Sequence, residues 1–114
     1  MIKTKRIYDP AEAGDGHRVL VDRLWPRGLR KEDAGIDEWL REIAPSPELR
    51  KWFGHEPARW RGFVTRYKRE LSAPQAQAHL ERLRSMARRA TVTLLYAARE
   101  ERHNNAEVLA DLLR

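Results

Sequence analysis

The chain has 114 residues and no cysteine, which excludes disulfide bonds, a thiol nucleophile and a thiolate metal site. The net charge of +6 comes entirely from residues 58–114, which contain 12 basic and 6 acidic residues. No apolar run approaches the roughly 18 residues of a membrane-spanning helix, and the first ten residues lack the apolar segment of a signal peptide. We therefore expect one cytoplasmic domain, residues 1–114, without membrane contact.

Three apolar segments predict β-strands. Ile2–Tyr8 alternates weakly, as is typical of an edge strand, whereas Val19–Arg23 and Val92–Tyr96 are apolar enough to be buried on both faces. The long interval between the second and last strands predicts a parallel crossover. Because the connection between the first two strands is short for a crossover, the direction of the first strand stays open.

Helical signals fill the interval before the last strand. Four helices are predicted there, opening near Asp37, Ser46, Pro57 and Pro74. The second has the clearest ends, with Ser46 as N-cap, Pro47 at the first helical position and Gly54 as terminator. Trp52 and Trp60 lie on apolar helix stripes, so we expect them to be buried on facing helices. A closing helix carries inward-facing leucines after the last strand.

These elements predict an α/β fold. We expect a small, mostly parallel sheet of about three strands, with a multi-helix insertion between the second and last strands and a C-terminal helix. In open sheets of this kind, ligands bind beyond the carboxyl ends of the strands.

Four sequence strings carry a family resemblance: "RVLVDRLWPRG", "DEWLREIAPSPELRKWFGH", "FVTRYKREL" and "TLLYAAREERHNNAEVL". Together they span nearly the whole chain, which resembles the YeaO-like proteins of the domain-of-unknown-function 488 family. The resemblance implies an α/β fold and no agreed activity.

The chain departs from the pattern of this wider family at two positions. The resemblance implies a cysteine at the centre of the last strand and a Cys-His-Arg string before the last helix. This sequence has Tyr96 at the first position and His103–Asn105 at the second. Thiol chemistry attributed to the wider family therefore does not carry over to this chain.

Two polar segments follow predicted strands, Asp22–Gly28 after the second and Arg99–Asn105 after the last. If these strands are neighbours, the two segments meet at one edge of the sheet. Guanidinium groups beside the free N–H groups of a helix N-terminus would form a site for an anion. The sequence thus favours a polar pocket for a small anionic or acidic ligand. The predicted ligand-binding residues are Arg23, Trp25, Arg27, His55, His103 and Asn105.

Two alternatives remain open for this segment. Asp22, which follows an apolar strand, is the best general-base candidate, and with Tyr96 it would serve a cysteine-free, hydrolase-like enzyme. Alternatively, the segment is structural: Trp25 covers the core and Gly28 allows the turn. In either case we expect the Asp22 carboxylate to be withdrawn from water and to contact Arg27, with Arg23 left free. No metal-ligand spacing or cofactor motif is present.

The basic second half raises a third possibility, a protein that binds nucleic acid or another polyanion. Between residues 58 and 90 there are nine basic residues and two acidic ones. They spread over the whole polar side of the predicted helices, without interleaved aromatic residues or a recognisable nucleic-acid-binding motif. A solvated basic face with weak, non-specific affinity for polyanions accounts for this pattern equally well.

Overall fold

A computed structural model describes residues 1–114 and shows an α/β fold around one parallel sheet. The sheet has four strands in the order β1-β4-β2-β3, and each neighbouring pair is parallel. The strands are β1 (Ile2–Arg6), β2 (His17–Leu20), β3 (Glu38–Trp39) and β4 (Val92–Tyr96). The predicted small parallel sheet is confirmed with one additional strand, and β1 runs in the same direction as the others.

Five α-helices accompany the sheet: α1 (Lys31–Ala34), α2 (Pro47–Phe53), α3 (Trp60–Glu70), α4 (Pro74–Ala87) and α5 (Asn105–Leu113). The predicted ends of α2 are confirmed, since the Ser46 hydroxyl accepts a hydrogen bond from the Leu49 N–H at 3.1 Å. Gly54 ends this helix at a φ of 52°, which lies in the left-handed region that favours glycine. No helix combines the length and apolarity needed to cross a membrane.

The alternation of side chains along the strands divides the core between the two faces of the sheet. Val19 and Leu94 point to one face, where α2–α5 bury the large cluster of apolar residues. Leu20 and Leu95 point to the other face, where Ile7 joins them. That second face is covered by loop residues, including Trp25, rather than by long helices. The strands are therefore buried on both sides, as their continuous apolar runs indicate.

The prediction of a helix that begins at Asp37 is wrong. Glu38–Trp39 forms the edge strand β3, and Arg41–Ile43 forms a single 3₁₀ turn. The Asp37 carboxylate does not cap a helix, because it accepts a hydrogen bond from the Arg18 N–H at 2.8 Å. The Leu40 N–H in turn donates to the Leu20 carbonyl at 2.9 Å. Pairing with β2 thus satisfies backbone groups that a helix would have satisfied locally.

Other details also differ from the prediction, and β1 ends at Arg6 rather than Tyr8. Strand β2 ends at Leu20 rather than Arg23, so Asp22 lies in the loop beyond the strand. Trp52 and Trp60 are half-buried, while Phe53 and Phe63 fill the core between α2 and α3 with ring centroids 4.6 Å apart. The apolar stripes face inward as expected, but the two tryptophans lie at the edge of the core.

Candidate functional site

The segments that follow β2 and β4 meet at one cavity of about 340 Å³. They meet because β2 and β4 are parallel neighbours, so the segments that follow them leave the sheet at the same edge. Its walls come from five parts of the chain. The lining residues are Tyr8; Asp22, Arg23, Leu24, Trp25, Pro26 and Arg27; Pro45, Arg50, Phe53 and His55; Phe63; and Ala97, Ala98, His103, Asn104 and Asn105. The structure thus brings together all six residues predicted to bind a ligand.

Local hydrogen bonds fix the loop that leaves β2. The Trp25 indole N–H donates to the Leu29 carbonyl at 2.6 Å, and the Trp39 indole N–H donates to the Asp22 carbonyl at 2.7 Å. The two indole rings meet edge to face, with centroids 5.3 Å apart. Pro26 is buried beside them. Trp25 therefore packs against the smaller apolar cluster and also lines the cavity.

The Asp22 carboxylate is half-buried and is held by two uncharged donors. The Ala97 N–H donates to its Oδ2 at 2.9 Å, and the Asn105 Nδ2 donates to its Oδ1 at 3.1 Å. Asn105 Nδ2 also donates to the Val21 carbonyl at 2.9 Å. Burial raises the pKa of Asp22 above its ordinary value, although these hydrogen bonds and the charge of Arg50 act in the opposite direction. Asp22 therefore joins the ends of β2, β4 and α5 at the cavity.

The predicted contact between Asp22 and Arg27 is wrong, as is the free state predicted for Arg23. The Arg23 guanidinium donates to the Pro45 and Ala44 carbonyls, each at 3.2 Å. Arg27 is held by its backbone instead, because its carbonyl accepts a hydrogen bond from the Tyr8 hydroxyl at 2.8 Å. The Arg27 side chain stays exposed.

Two guanidinium groups at this cavity have no partner within the chain. The side chains of Arg27 and Arg50 are exposed, and neither makes a hydrogen bond or an ion pair. Arg50 belongs to α2, and its charge is close enough to affect Asp22 without forming an ion pair with it. Both cations are therefore available to a ligand in the cavity.

Two histidines, His55 and His103, line the same cavity. His103 is exposed and stacks on the Trp60 ring with centroids 4.7 Å apart and an angle of 20°. His55 follows Gly54 and has a φ of 58°, and its ring is tilted against Phe53. Neither histidine is part of a group that could hold a metal ion.

The N-terminus of α5 is capped by Asn104 at the same edge. The Asn104 Oδ1 accepts a hydrogen bond from the Glu107 N–H at 3.0 Å, and its amide donates to the Glu100 carbonyl at 2.9 Å. The partly positive end of the helix is thus rigidly placed beside the cavity, which favours negative charge there.

Tyr96 is the one predicted site residue that does not line the cavity. Its ring belongs to the large apolar cluster, and burial raises the pKa of its hydroxyl above the ordinary value. Arg50 is the most important lining residue that sequence reasoning missed. Its place on the exposed side of α2 gave no signal, because only tertiary packing brings that helix to the strand ends.

Comparison with known proteins gives a consistent result. A family model described as the inactive DUF488-N3 subclade matches residues 1–114. The chain is 49% identical over 113 residues to the uncharacterized protein YeaO of Escherichia coli strain K12, covering 99% of this chain and 96% of that protein. It is 42% identical over 112 residues to the uncharacterized protein Rv3073c of Mycobacterium tuberculosis, covering 98% of this chain and 92% of that protein. No solved structure gave a significant match.

Proposed function

Because the chain belongs to the inactive DUF488-N3 subclade, we propose that it binds a small anionic ligand at the strand-end cavity without chemically changing it. The observation that carries this proposal is the pair of unpartnered guanidinium groups, Arg27 and Arg50, beside one cavity. Guanidinium groups bind carboxylate and phosphate groups through two parallel hydrogen bonds. The capped N-terminus of α5 adds a partial positive charge at the same edge.

A binding role agrees better with the cavity than a catalytic role does. The description of the subclade as inactive points away from catalysis. The enzymatic alternative required Asp22 and Tyr96 to act together, but Tyr96 does not line the cavity. The chain also lacks a thiol nucleophile. The residues that remain are suited to recognition, with cations, histidines and an amide around apolar walls.

The test is calorimetric titration of the protein with inorganic phosphate and with sulfate, repeated on Arg27→Gln and Arg50→Gln. We expect each substitution to weaken binding roughly tenfold or more, because a hydrogen bond to a charged group contributes about 1.5–3 kcal/mol. The matched control is Arg89→Gln, since Arg89 is exposed and lies outside the cavity. Equal affinity in wild type, the two cavity variants and the control would contradict the proposal.

A further inference from the structure

The cavity exposes more apolar surface than a simple anion needs. Across the chain, three large apolar side chains are exposed, and two of them, Tyr8 (44% exposed) and Leu24 (60% exposed), line this cavity. Phe53 and Phe63 contribute buried aromatic wall on the other side. Exposed apolar side chains that cluster at a cavity, rather than being scattered singly, mark a binding surface.

The same cavity contains a carboxylate, which disfavours a ligand that is only an anion. The two oxygens of Asp22 accept one hydrogen bond each from the chain, at 2.9 Å from Ala97 and 3.1 Å from Asn105. Each carboxylate oxygen can accept a second hydrogen bond. Its two hydrogen-bond partners are uncharged and it forms no ion pair within the chain, so it can accept a hydrogen bond from an N–H group of a ligand.

From these observations, and granted the proposed function, we infer that the ligand is an anionic ring compound that also carries an N–H donor. The anionic group would lie against Arg27 and Arg50, the flat ring against Leu24 and the aromatic wall, and the N–H group against Asp22. The volume of about 340 Å³ is at the small end of ligand sites. It fits one ring system with one anionic group. An aminopurine mononucleotide and an aromatic α-amino acid both have this chemistry.

The experiment compares each complete compound with a matched compound that lacks either the base or the amine. Guanosine monophosphate is paired with ribose 5-phosphate, which keeps the phosphate and lacks the base. Phenylalanine is paired with 3-phenylpropionate, which keeps the ring and carboxylate and lacks the amine, the only source of N–H groups in phenylalanine. Inorganic phosphate is the reference. We expect one of the two complete compounds to bind about tenfold or more tightly than its incomplete partner and than phosphate.

Two variants assign this preference to the cavity. Leu24→Ala removes exposed apolar surface without disturbing the core, so it should reduce the ratio of ring-compound affinity to phosphate affinity by about threefold. Asp22→Asn should reduce the preference for an N–H-bearing compound by about tenfold, because the amide replaces one acceptor oxygen with a donor. If Asp22→Asn does not fold, the Leu24→Ala ratio still decides the result.

The outcomes separate the two levels of the hypothesis. If phosphate binds as tightly as every ring compound, and Arg27→Gln and Arg50→Gln abolish its binding, the ring inference is wrong and the proposed anion site stands. If no compound binds, both are wrong. If a complete compound is preferred but neither Leu24→Ala nor Asp22→Asn changes that preference, the compound binds elsewhere and the inference is wrong.

Discussion

Asp15 precedes β2 and Asp22 follows it, and the structure surrounds the two carboxylates with different partners. Asp15 is fully buried, and its carboxylate is ion-paired with Lys5 at 2.9 Å and with Arg18. It also accepts the Glu12 N–H at 3.0 Å. Burial acts to raise the pKa of Asp15, but the hydrogen bonds from Lys5, Glu12 and Arg18 outweigh it and lower the pKa to about 2.

Asp22 has no such cations, although the unpartnered guanidinium groups of Arg27 and Arg50 line the same cavity. Its partners are a backbone N–H and the Asn105 amide, and its pKa is raised. A charged cluster whose members satisfy one another stabilises the fold and has nothing left for a ligand. At the cavity, Asp22 forms no ion pair with Arg27 or Arg50, so both cations stay available to a ligand. This difference separates a structural cluster from the proposed binding site.

The sharpest way to test this comparison is Asp15→Asn. The substitution leaves Arg18, which is 5% exposed, as a buried cation without its carboxylate. Losing one member of a buried ion pair costs about 3–5 kcal/mol, so we expect the free energy of unfolding in urea to fall by that amount. Glu12→Gln is the matched control, because the Glu12 side chain is 70% exposed and also contacts Lys5. It should cost at most about 1 kcal/mol.

Asp22→Asn should cost less than Asp15→Asn, about 1.5–3 kcal/mol, because it leaves one of two neutral donors without its acceptor but breaks no buried ion pair. Equal losses of stability for the two variants would mean that Asp22 is as structural as Asp15. The proposed division of roles would then fail.

The pH dependence of stability should differ in sign between the two aspartates. The lowered pKa of Asp15 means that its contribution is present above the ordinary value of 3.8 and is lost as pH falls toward about 2. That contribution is about 2 kcal/mol. The raised pKa of Asp22 has the opposite effect, so its protonation stabilises the native state as pH falls toward 3.8.

Urea unfolding from pH 6 to pH 2 measures both effects as differences from wild type. The stability gap between wild type and Asp15→Asn should narrow below about pH 4. The gap between wild type and Asp22→Asn should shift in favour of wild type on acidification from pH 6. A parallel response of the two variants would show that the two carboxylates share one environment.

The sequence predicts those parts of the fold and cavity that rest on local signals. Ser46 and Gly54 mark the ends of α2 through capping, and the apolar runs of β2 and β4 with a long interval between them predict parallel strands. The meeting of the two following segments depended on these strands being neighbours, and the structure pairs them. The strand β3 was missed because two residues carry no periodicity, and only the backbone of β2 makes them a strand.

The errors in predicting the candidate site arise where a side chain has hydrogen-bond partners that are distant in sequence. The predicted Asp22–Arg27 contact rested only on cations near Asp22 in the sequence. The hydrogen-bond partners of Asp22 in the structure, Ala97 and Asn105, are 75 and 83 residues away. Likewise, the Arg23 guanidinium is taken by the Ala44 and Pro45 carbonyls, which become adjacent only after folding. The sheet topology predicts that the lining residues gather at one cavity. It does not predict which of them form hydrogen bonds with one another.

The smallest expected effect concerns nucleic acid and the basic helices α3 and α4. Several cations there already have partners: Arg66 lies over the Trp52 ring at 4.0 Å, and Arg82 is paired with Glu38. Others, including Arg61 and Arg69, are exposed on α3. We therefore expect only weak, sequence-independent binding of duplex DNA, which should be lost between about 50 and 200 mM salt because it depends on counterion release.

Fluorescence anisotropy with duplex DNA measures this binding. The double variant Arg61→Gln/Arg69→Gln should weaken the binding at low salt, and the double variant Arg27→Gln/Arg50→Gln should weaken it less. Binding that persists at about 200 mM salt would favour a nucleic-acid-binding role over the proposed function. Binding that disappears with the cavity pair alone would make the cavity part of a polyanion surface. The contrast between free cavity cations and a solvated basic face would then be wrong.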